Sequence, residues 1–407
     1  MTQPNCLNAN TVIFVSGAWP GTAKGYEIAN LSTLNYFDER GFEIYYFGPS
    51  ESFQEARLEQ RSNCHWLPVN FSRKPKSLRF FRSLFSSKPA VTERFWNSES
   101  EISSKLESRS IRPQRKTLFF YEDVPAASLL FELSKLYPES THAVRSHNVI
   151  YKGFSGMRDQ SRGVMKIFWS VELSKIRRFE RQTAEQSDLF FAISDDDDQY
   201  YKEAMKCETD GIIPCYLEDH YFKRPEERDT NTLLFLGGAD MRKSIGLRRF
   251  LEVTWPQIRK MRPQARLILG GKNTNRFNNP AENVTGLGFV EDEFSFLSRG
   301  NIFINPQTIG AGIKIKSIVA LAAGKVLVTT PTGAEGIGLQ NDIHCVIEEN
   351  FSLQASQIVS LLDDRAKRDK LVEAGHRYVL NNFTKSHFFT TMDSLFGSGK
   401  SNSVSNG

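Results

Sequence analysis

The chain has 407 residues, 40% of them hydrophobic and 24% charged, with a formal net charge of +5. This is ordinary globular composition, and the length exceeds the ~250–300 residues at which a single core stops growing, so two or three domains are expected. Five scattered cysteines (Cys6, Cys64, Cys207, Cys215, Cys345) form neither a disulfide framework nor a CxxC metal site, and the polar start MTQPNCLNAN excludes a signal peptide, so a soluble, cytoplasmic protein is expected.

In chain order, the first apolar run is TVIFVSG (Thr11–Gly17), followed by the loop SGAWPGTAKGYE. Gly17, Gly21 and Gly25 in this loop permit close backbone approach to a ligand. The spacing is neither G-x-G-x-x-G nor a Walker A sequence, so a nicotinamide dehydrogenase or P-loop NTPase is poorly supported. A helical pattern then ends near Gly41, and FEIYYFG (Phe42–Gly48) reads as the next strand. The stretch Phe71–Pro89 carries Arg73, Lys74, Lys76, Arg79, Arg82 and Lys88 and no acid, with Leu78, Phe81, Leu84 and Phe85 interleaved. It suits either a solvated amphipathic element or a contact with an anionic membrane surface or charged substrate. No nucleic-acid motif accompanies it, and no nucleic-acid partner is expected.

Further strands are expected at Thr117–Asp123, His142–Asn148 and Asp188–Ser194. RSHNV (Arg145–Val149) places Arg145, His147 and Asn148 at a strand end, where a histidine either orients a hydroxyl or serves structure. In SDDDDQYY, Ser194 reads as the cap of a helix with an acidic first turn, and no metal site is assigned to it. The turn-rich segment Pro214–Asn231 reads as a domain boundary. Beyond it come strands at Thr232–Gly238, Ala265–Gly271, Asn301–Pro306 and Lys325–Thr330, a helical pattern ending near Pro263, and a Gly/Ser/Asn-rich tail expected to be disordered.

Most of these strands are continuous β-branched or aromatic runs, as in parallel sheets buried on both faces. Alternating β and α segments over two halves predict an α/β protein with two Rossmann-like, doubly wound domains whose strand ends face across a cleft. The expected divisions are residues 1–215 and 216–385, one α/β domain each, and 386–407, a last helix end and tail. Residues just after the strands become the candidate site. The Gly310–Gly312 turn runs into an apolar helix predicted over Ile313–Ala323, with Lys314 and Lys316 in its first turn. A helix amino terminus is already positive, so each lysine there costs ~0.3–1 kcal/mol unless an anion is present. Either a phosphate binds there or the two are surface lysines. Arg242 and Lys243, after Thr232–Gly238, could clamp the same diphosphate or sit in a solvated loop. Gly333, Ala334 and Glu335 follow a strand, where Glu335 either bonds a ligand hydroxyl or caps the next helix.

In this order the pieces resemble a bacterial glycosyltransferase of the GT-B fold, close to glycosyltransferase family 4. The resemblance is densest in LLFLGGADMRKSIGLRRFLEVTWPQIRKMRPQARLILGG and in GFVEDEFSFLSRGNIFINPQTIGAGIKIKSIVALAAGKVLVTTPTGAEGIGL, and RSHNV, SDLFFAISDDDDQYY and SKPAVTERFWNSES resemble the acceptor domain. It covers roughly residues 10–390 and is weakest over 50–115. AGHRYVLNNFTKSHFF resembles the closing helix that crosses back to the first domain in such enzymes, and the resemblance makes residues 1–215 the acceptor-binding domain and 216–385 the nucleotide-sugar donor-binding domain. The resemblance implies a retaining transferase that uses no metal and no cofactor beyond a nucleotide-diphosphate sugar as donor substrate. It implies His147 and Lys316 as catalytic groups, with Gly310, Gly312, Lys314, Lys316, Arg242 and Lys243 on the diphosphate. Glu335, Gly333 and Ala334 would meet the donor sugar or ribose, and Arg145 and Asn148 the glycan or lipid-linked acceptor. Where the family usually has two glutamates, this chain has Ala311 and Val319, so Glu335 is the candidate substitute for the carboxylate that grips the ribose. The place expected is the cytoplasm, peripheral to the inner face of the membrane, in surface polysaccharide or lipopolysaccharide synthesis. Two rival functions are a non-catalytic sugar-nucleotide or glycan-binding protein and a sugar-nucleotide epimerase.

Overall fold

Continuous apolar runs fold here as strands covered on both faces. The computed structural model describes residues 9–22, 25–54, 56, 58–71, 82–83, 85–225, 231–239 and 244–396. Two units divide the chain, the first of Met1–Tyr216 with Ser386–Gly407 and the second of Leu217–Lys385.

The first unit holds β1 (Thr11–Ser16), β2 (Glu43–Pro49), β3 (Cys64–Val69), β4 (Thr117–Glu122), β5 (Thr141–Arg145), β6 (Leu189–Ala192) and β7 (Gly211–Ile212), in the order β3-β2-β1-β4-β5-β6-β7. The second holds β8 (Thr232–Leu236), β9 (Arg266–Gly270), β10 (Val284–Gly288), β11 (Ile302–Asn305), β12 (Val326–Thr329) and β13 (Val346–Ile347), in the order β10-β9-β8-β11-β12-β13. Every ladder between these strands is parallel. The fold class is the expected doubly wound α/β. Both orders reverse direction once, between β1 and β4 and between β8 and β11, and such switch points are where open α/β sheets bind ligands.

Each sheet has apolar packing on both faces. In the first unit, Ile13, Val15, Phe119 and Val144 join one cluster, while Val12, Phe14, Leu118 and Ala143 join the other. The helix Lys385–Phe396 belongs to the second of these clusters through Phe388, Phe389, Met392 and Phe396. In the second unit the alternation is Leu233, Phe235 and Ile302 against Leu234 and Phe303.

Four strands were not foreseen: β3, β7, β10 and β13. All four are edge strands. An edge strand lacks cover on one side, so its pattern is short or mixed rather than a continuous apolar run; β3 even carries Pro68, which only an edge tolerates well. Strand β5 also stops three residues earlier than expected. Ser146 turns the chain there, its N–H donating to Phe191 O at 2.8 Å and its hydroxyl to Asn148 O at 2.8 Å. His147 and Asn148 therefore lie in a loop. The helix expected to end near Pro263 runs from Ile245 to Met261 and includes a π-helical turn at Phe250–Thr254. That turn lies just ahead of Pro256, whose ring cannot fit against a regular preceding turn and which has no N–H to donate.

Candidate functional site

In the second unit the switch point is flanked by the residues after β8 and β11. Gly246 lets the helix that starts at Ile245 lie against the end of β11, since a Cβ there would sit 1.6 Å from Pro306 O. The loop after β8 is tied to that after β9 by Gly237 N–H to Gly270 O at 2.9 Å and Ala239 N–H to Lys272 O at 2.8 Å. Gly310 and Gly312 take φ values of 139° and 73°, backbone that favours glycine. They lead into the helix Ile315–Ala322.

This helix begins two residues later than the sequence suggested, and that changes the electrostatics. Lys314 is the N-cap rather than part of the first turn. Its ammonium group, in a residue only 5% exposed, donates to Gly312 O and to Glu335 Oε2, the latter at 3.1 Å. The anion that makes Lys314 tolerable at this end is thus a carboxylate of the chain itself. Lys316 alone stands in the first turn. Its Nζ lies 5.3 Å from the Phe235 ring centroid and 3.5 Å from where a Cβ on Gly237 would sit. A cation over an aromatic face is attracted to it, and this contact holds Lys316 at the carboxyl end of β8, on the switch point.

Two expected contacts are corrected here. The N–H of Gly333 donates to Thr330 Oγ1 at 3.1 Å, and its carbonyl accepts from Ser317 Oγ at 2.8 Å. The N–H of Ala334 donates to Thr330 O at 3.1 Å. Gly333 and Ala334 therefore spend these groups on the fold, and only Glu335 brings a polar side chain. Val319 is buried in the apolar cluster with Ile318, Leu321 and Leu327. Arg242 and Lys243 lie outside the described residues, as do Arg73, Lys74, Lys76 and Arg79.

The switch point of the first unit opens into a cavity of about 320 Å³. Ser16 and Gly17 from the end of β1, Glu122 and Asp123 from the end of β4, and His147 and Asn148 after β5 line it. Glu122 is fully enclosed, and its Oε1 accepts from Arg145 at 2.5 Å and from His147 Nε2 at 2.6 Å. Burial alone would raise this carboxyl; the Arg145 guanidinium and His147 beside it outweigh burial and hold it below the usual carboxylate range. An ionised carboxylate only accepts, so Nε2 of His147 carries a hydrogen in this pair, and Nδ1 is the ring nitrogen left for another partner. Burial pushes the Asp123 carboxyl up, partly offset by His147 and by donors that include the Val124 N–H at 2.9 Å. Two buried oxygens on this wall, Glu122 Oε2 and Asn30 Oδ1, receive no hydrogen bond among the described residues.

Arg145 does not reach the cavity. It is wholly enclosed and donates to Ile213 O, Ala29 O, Thr33 Oγ1, Glu122 and Pro214 O. Assigned from the sequence to the acceptor, it instead balances the charge of Glu122. Of the expected glycine loop, Gly17 lines this cavity, while Gly21 and Gly25 are not among its lining residues. The space beside Gly17 is taken by the chain's own Arg94 and Phe95, because a Cβ there would meet Arg94 Nη2 at 1.3 Å. Gly21 faces Glu27, and Gly25 opens the helix Gly25–Glu39. Sequence reasoning passed over Glu122 and Asp123, although an acidic pair closing an apolar run at a strand end was a readable signal.

The loop with His147 is fixed from below. Glu180 accepts from the N–H groups of Ile150 and Tyr151 at 2.7 and 3.1 Å, and from Tyr201 OH at 3.3 Å. Tyr201 OH in turn pairs with Ser146 Oγ at 3.0 Å. Near the same loop Ser194 Oγ caps its acidic helix by accepting from Asp197 N–H at 3.3 Å.

Comparison with known proteins adds three findings. Residues 230–364 match the family described as Glycosyl transferases group 1. An uncharacterized 44.6 kDa protein in the cps region of Klebsiella pneumoniae is 23% identical over 267 residues; the match takes in 61% of this chain and 66% of that protein, just under two thirds of its length. Among solved structures, WaaG, a glycosyltransferase involved in lipopolysaccharide biosynthesis, is similar with a TM-score of 0.65 at 13% identity, covering 95% of this chain and 100% of the other. Anabaena HepE in complex with UDP gives 0.64 at 10% identity, covering 94% and 98%. At such identities these structures speak for the fold alone.

Two outcomes test the site's architecture. Arg145→Ala leaves Glu122 charged, enclosed and short of its main partner, and should lower unfolding free energy in urea by ~3–5 kcal/mol; a loss under ~1 kcal/mol would contradict the pairing. Burial lifts the Glu180 carboxyl to about 8, against ~4.3 in an unfolded chain. The protonated group's stabilisation is complete below pH ~4.3 and is lost as pH rises to about 8, because only the unfolded chain ionises in that window. Unfolding free energy of the wild type should therefore fall from pH 5 to 8 relative to Glu180→Gln, by up to ~1.4 kcal/mol per pH unit. Parallel curves would show that Glu180 titrates normally.

Proposed function

We propose that this chain, with its GT-B fold and its Glycosyl transferases group 1 domain, is a glycosyltransferase that moves a sugar from a nucleotide-diphosphate sugar to a glycan or lipid-linked acceptor. The observation that carries the reading is Lys316, held by the Phe235 ring in the first turn of its helix and on the switch point of the second unit. A cation and a helix amino terminus together favour a phosphate. The Gly310–Gly312 turn supplies backbone at the same end, and Arg242 and Lys243 are assigned to the diphosphate as well. Positive charge fixed there stabilises the departing nucleoside diphosphate as its charge develops. This requires no metal ion, and activity unaffected by a chelator would support that part.

Lys314 acts differently from Lys316 in this account. Held by Gly312 O and Glu335, it keeps the glycine turn and the carboxylate in register. Glu335 then stands as the hydroxyl-binding group for the donor's ribose or sugar, in a chain where Val319 offers no carboxylate. In the first unit, the cavity presents acceptor oxygens on Glu122, Asn30 and Asp123 together with His147 and Asn148. These acceptors, with the Arg94 guanidinium and the Asn148 amide as donors on the same lining, suit a ligand rich in hydroxyl groups. His147 would take a hydrogen bond from such a hydroxyl at Nδ1 and sit near the transferred sugar, with configuration retained by same-face attack.

The cps-region relative supports a place in bacterial surface polysaccharide or lipopolysaccharide synthesis, in the cytoplasm and peripheral to the membrane through residues 71–89. Among the described residues no helix is long and apolar enough to cross a membrane.

Lys316→Ala should abolish most transfer from a labelled nucleotide sugar, with kcat/KM down by about 100-fold or more, as for lost transition-state charge stabilisation, and an unchanged unfolding midpoint. Wild-type turnover would refute the phosphate assignment, and a nucleotide affinity indifferent to Glu335→Ala would remove Glu335 from the site. Arg79→Glu with Arg82→Glu should reduce co-sedimentation with anionic liposomes; equal sedimentation of both proteins would end the case for residues 71–89.

A further inference from the structure

In the first unit, the helices Ile150–Gln160 and Val164–Gln186 form a hairpin that turns at Ser161–Gly163. The second helix buries one stripe in the unit: Trp169, Leu173, Ile176 and Phe179, with Glu172 and Glu180. Its first two turns carry another apolar stripe. Val164, Ile167, Phe168 and Val171 follow i, i+3, i+4, i+7 spacing, which places them along one face. That face is not the buried one: Val164 is 81% exposed, Ile167 68% and Val171 45%, and the neighbouring Met165 is also exposed. Phe168 is half-buried and packs on Trp169, but Val164, Ile167 and Val171 face outward, and large apolar groups left together in water mark a contact surface.

The surroundings say what kind of surface. From Gln160 to Val171 the chain has two cations, Arg162 and Lys166, and no acid. A second segment is fastened to the same helix. Lys175 Nζ donates to Ser83 O at 2.5 Å, and Glu172 Oε2 accepts from the Ala90 N–H at 2.9 Å. Between those anchors Phe85 is 82% exposed and Lys88 is exposed too. Phe85 and Lys88 end the acid-free basic stretch Phe71–Pro89. Two copies of this chain meeting through the patch would set Arg162 and Lys166 of each against those of the other, since a two-fold contact uses the same patch twice. An anionic lipid surface offers the opposite charge and an apolar layer just beneath it.

We propose that the tip of this hairpin, residues 160–171, docks on an anionic membrane, with Val164, Ile167 and Val171 entering the headgroup boundary and Arg162 and Lys166 on the lipid phosphates. This goes beyond the reading above, which places the membrane contact in residues 71–89 alone, and it does not depend on the transferase assignment. Both features together give the two signals that stable peripheral binding needs.

The test uses the full chain and sucrose-loaded vesicles of phosphatidylcholine, with and without phosphatidylglycerol. Wild type should sediment with the phosphatidylglycerol vesicles and poorly with the others. Combining Val164→Ser, Ile167→Ser and Val171→Ser should weaken that binding by about tenfold or more at an unchanged unfolding midpoint, because the replaced side chains are already in water. Combining Arg162→Ser with Lys166→Ser, which spares every apolar group, should weaken it as well and guards against a folding defect in the triple variant. Binding that is the same in all three proteins overturns the proposal, as does wild type that ignores phosphatidylglycerol. Light scattering that shows a wild-type dimer broken by the triple variant also overturns it, by assigning the face to a second copy.

Discussion

A parallel sheet covered on both faces leaves its chemistry one place to go. The central strands are mostly apolar, so polar side chains collect where those strands end, and parallel pairing brings all carboxyl ends to one edge. Both sheets here reverse their strand order once, and at each reversal two neighbouring loops part. The first unit has its cavity at that point, between the ends of β1 and β4. The second has Lys316 there, beside the end of β8. Everything inferred about ligands follows from that geometry.

Charge at these edges is arranged so that few groups depend on a ligand for balance. Glu122 would be prohibitively costly to bury alone, and Arg145 is buried with it to hold it ionised. That fixed carboxylate then decides which nitrogen of His147 carries hydrogen. Lys314 is matched by Glu335 in the same way. Lys316 rests on the Phe235 ring at the end of β8, and it is the lysine to which the proposal gives the diphosphate. In the proposed reading the first unit's cavity takes a hydroxyl-rich ligand and the second unit's Lys316 a phosphate, a division of labour that suits a sugar transferase.

Much of this was legible in the sequence. Continuous runs such as TVIFVSG and TLLFLGG could only be central parallel strands, and the alternation of elements gave the two-unit α/β class. The edge strands were hidden because half-covered strands such as VTGLG lack that pattern. His147, Asn148, Gly310, Gly312 and Lys316 stand out in the sequence because they follow strands or open a helix, positions that local pattern specifies. Arg145 was misread for the same reason: its place beside a strand end looked accessible, while its enclosure depends on Ala29, Thr33, Ile213 and Pro214, distant in sequence. The same holds for Lys314, whose partner lies 21 residues away. Long-range pairing of charges is what a single sequence does not display.

The claim on which the account turns is that a diphosphate binds at the amino end of the helix Ile315–Ala322, on Lys316. The direct measurement is a crystal structure with the nucleoside diphosphate that most raises the unfolding temperature of the wild-type chain, since a ligand of the native state stabilises it. The account predicts phosphate oxygens within hydrogen-bonding distance of Lys316 Nζ and of backbone N–H groups in the Gly310–Gly312 turn. A nucleotide whose phosphates lie elsewhere, with Lys316 still resting on Phe235 and touching none of them, would contradict it.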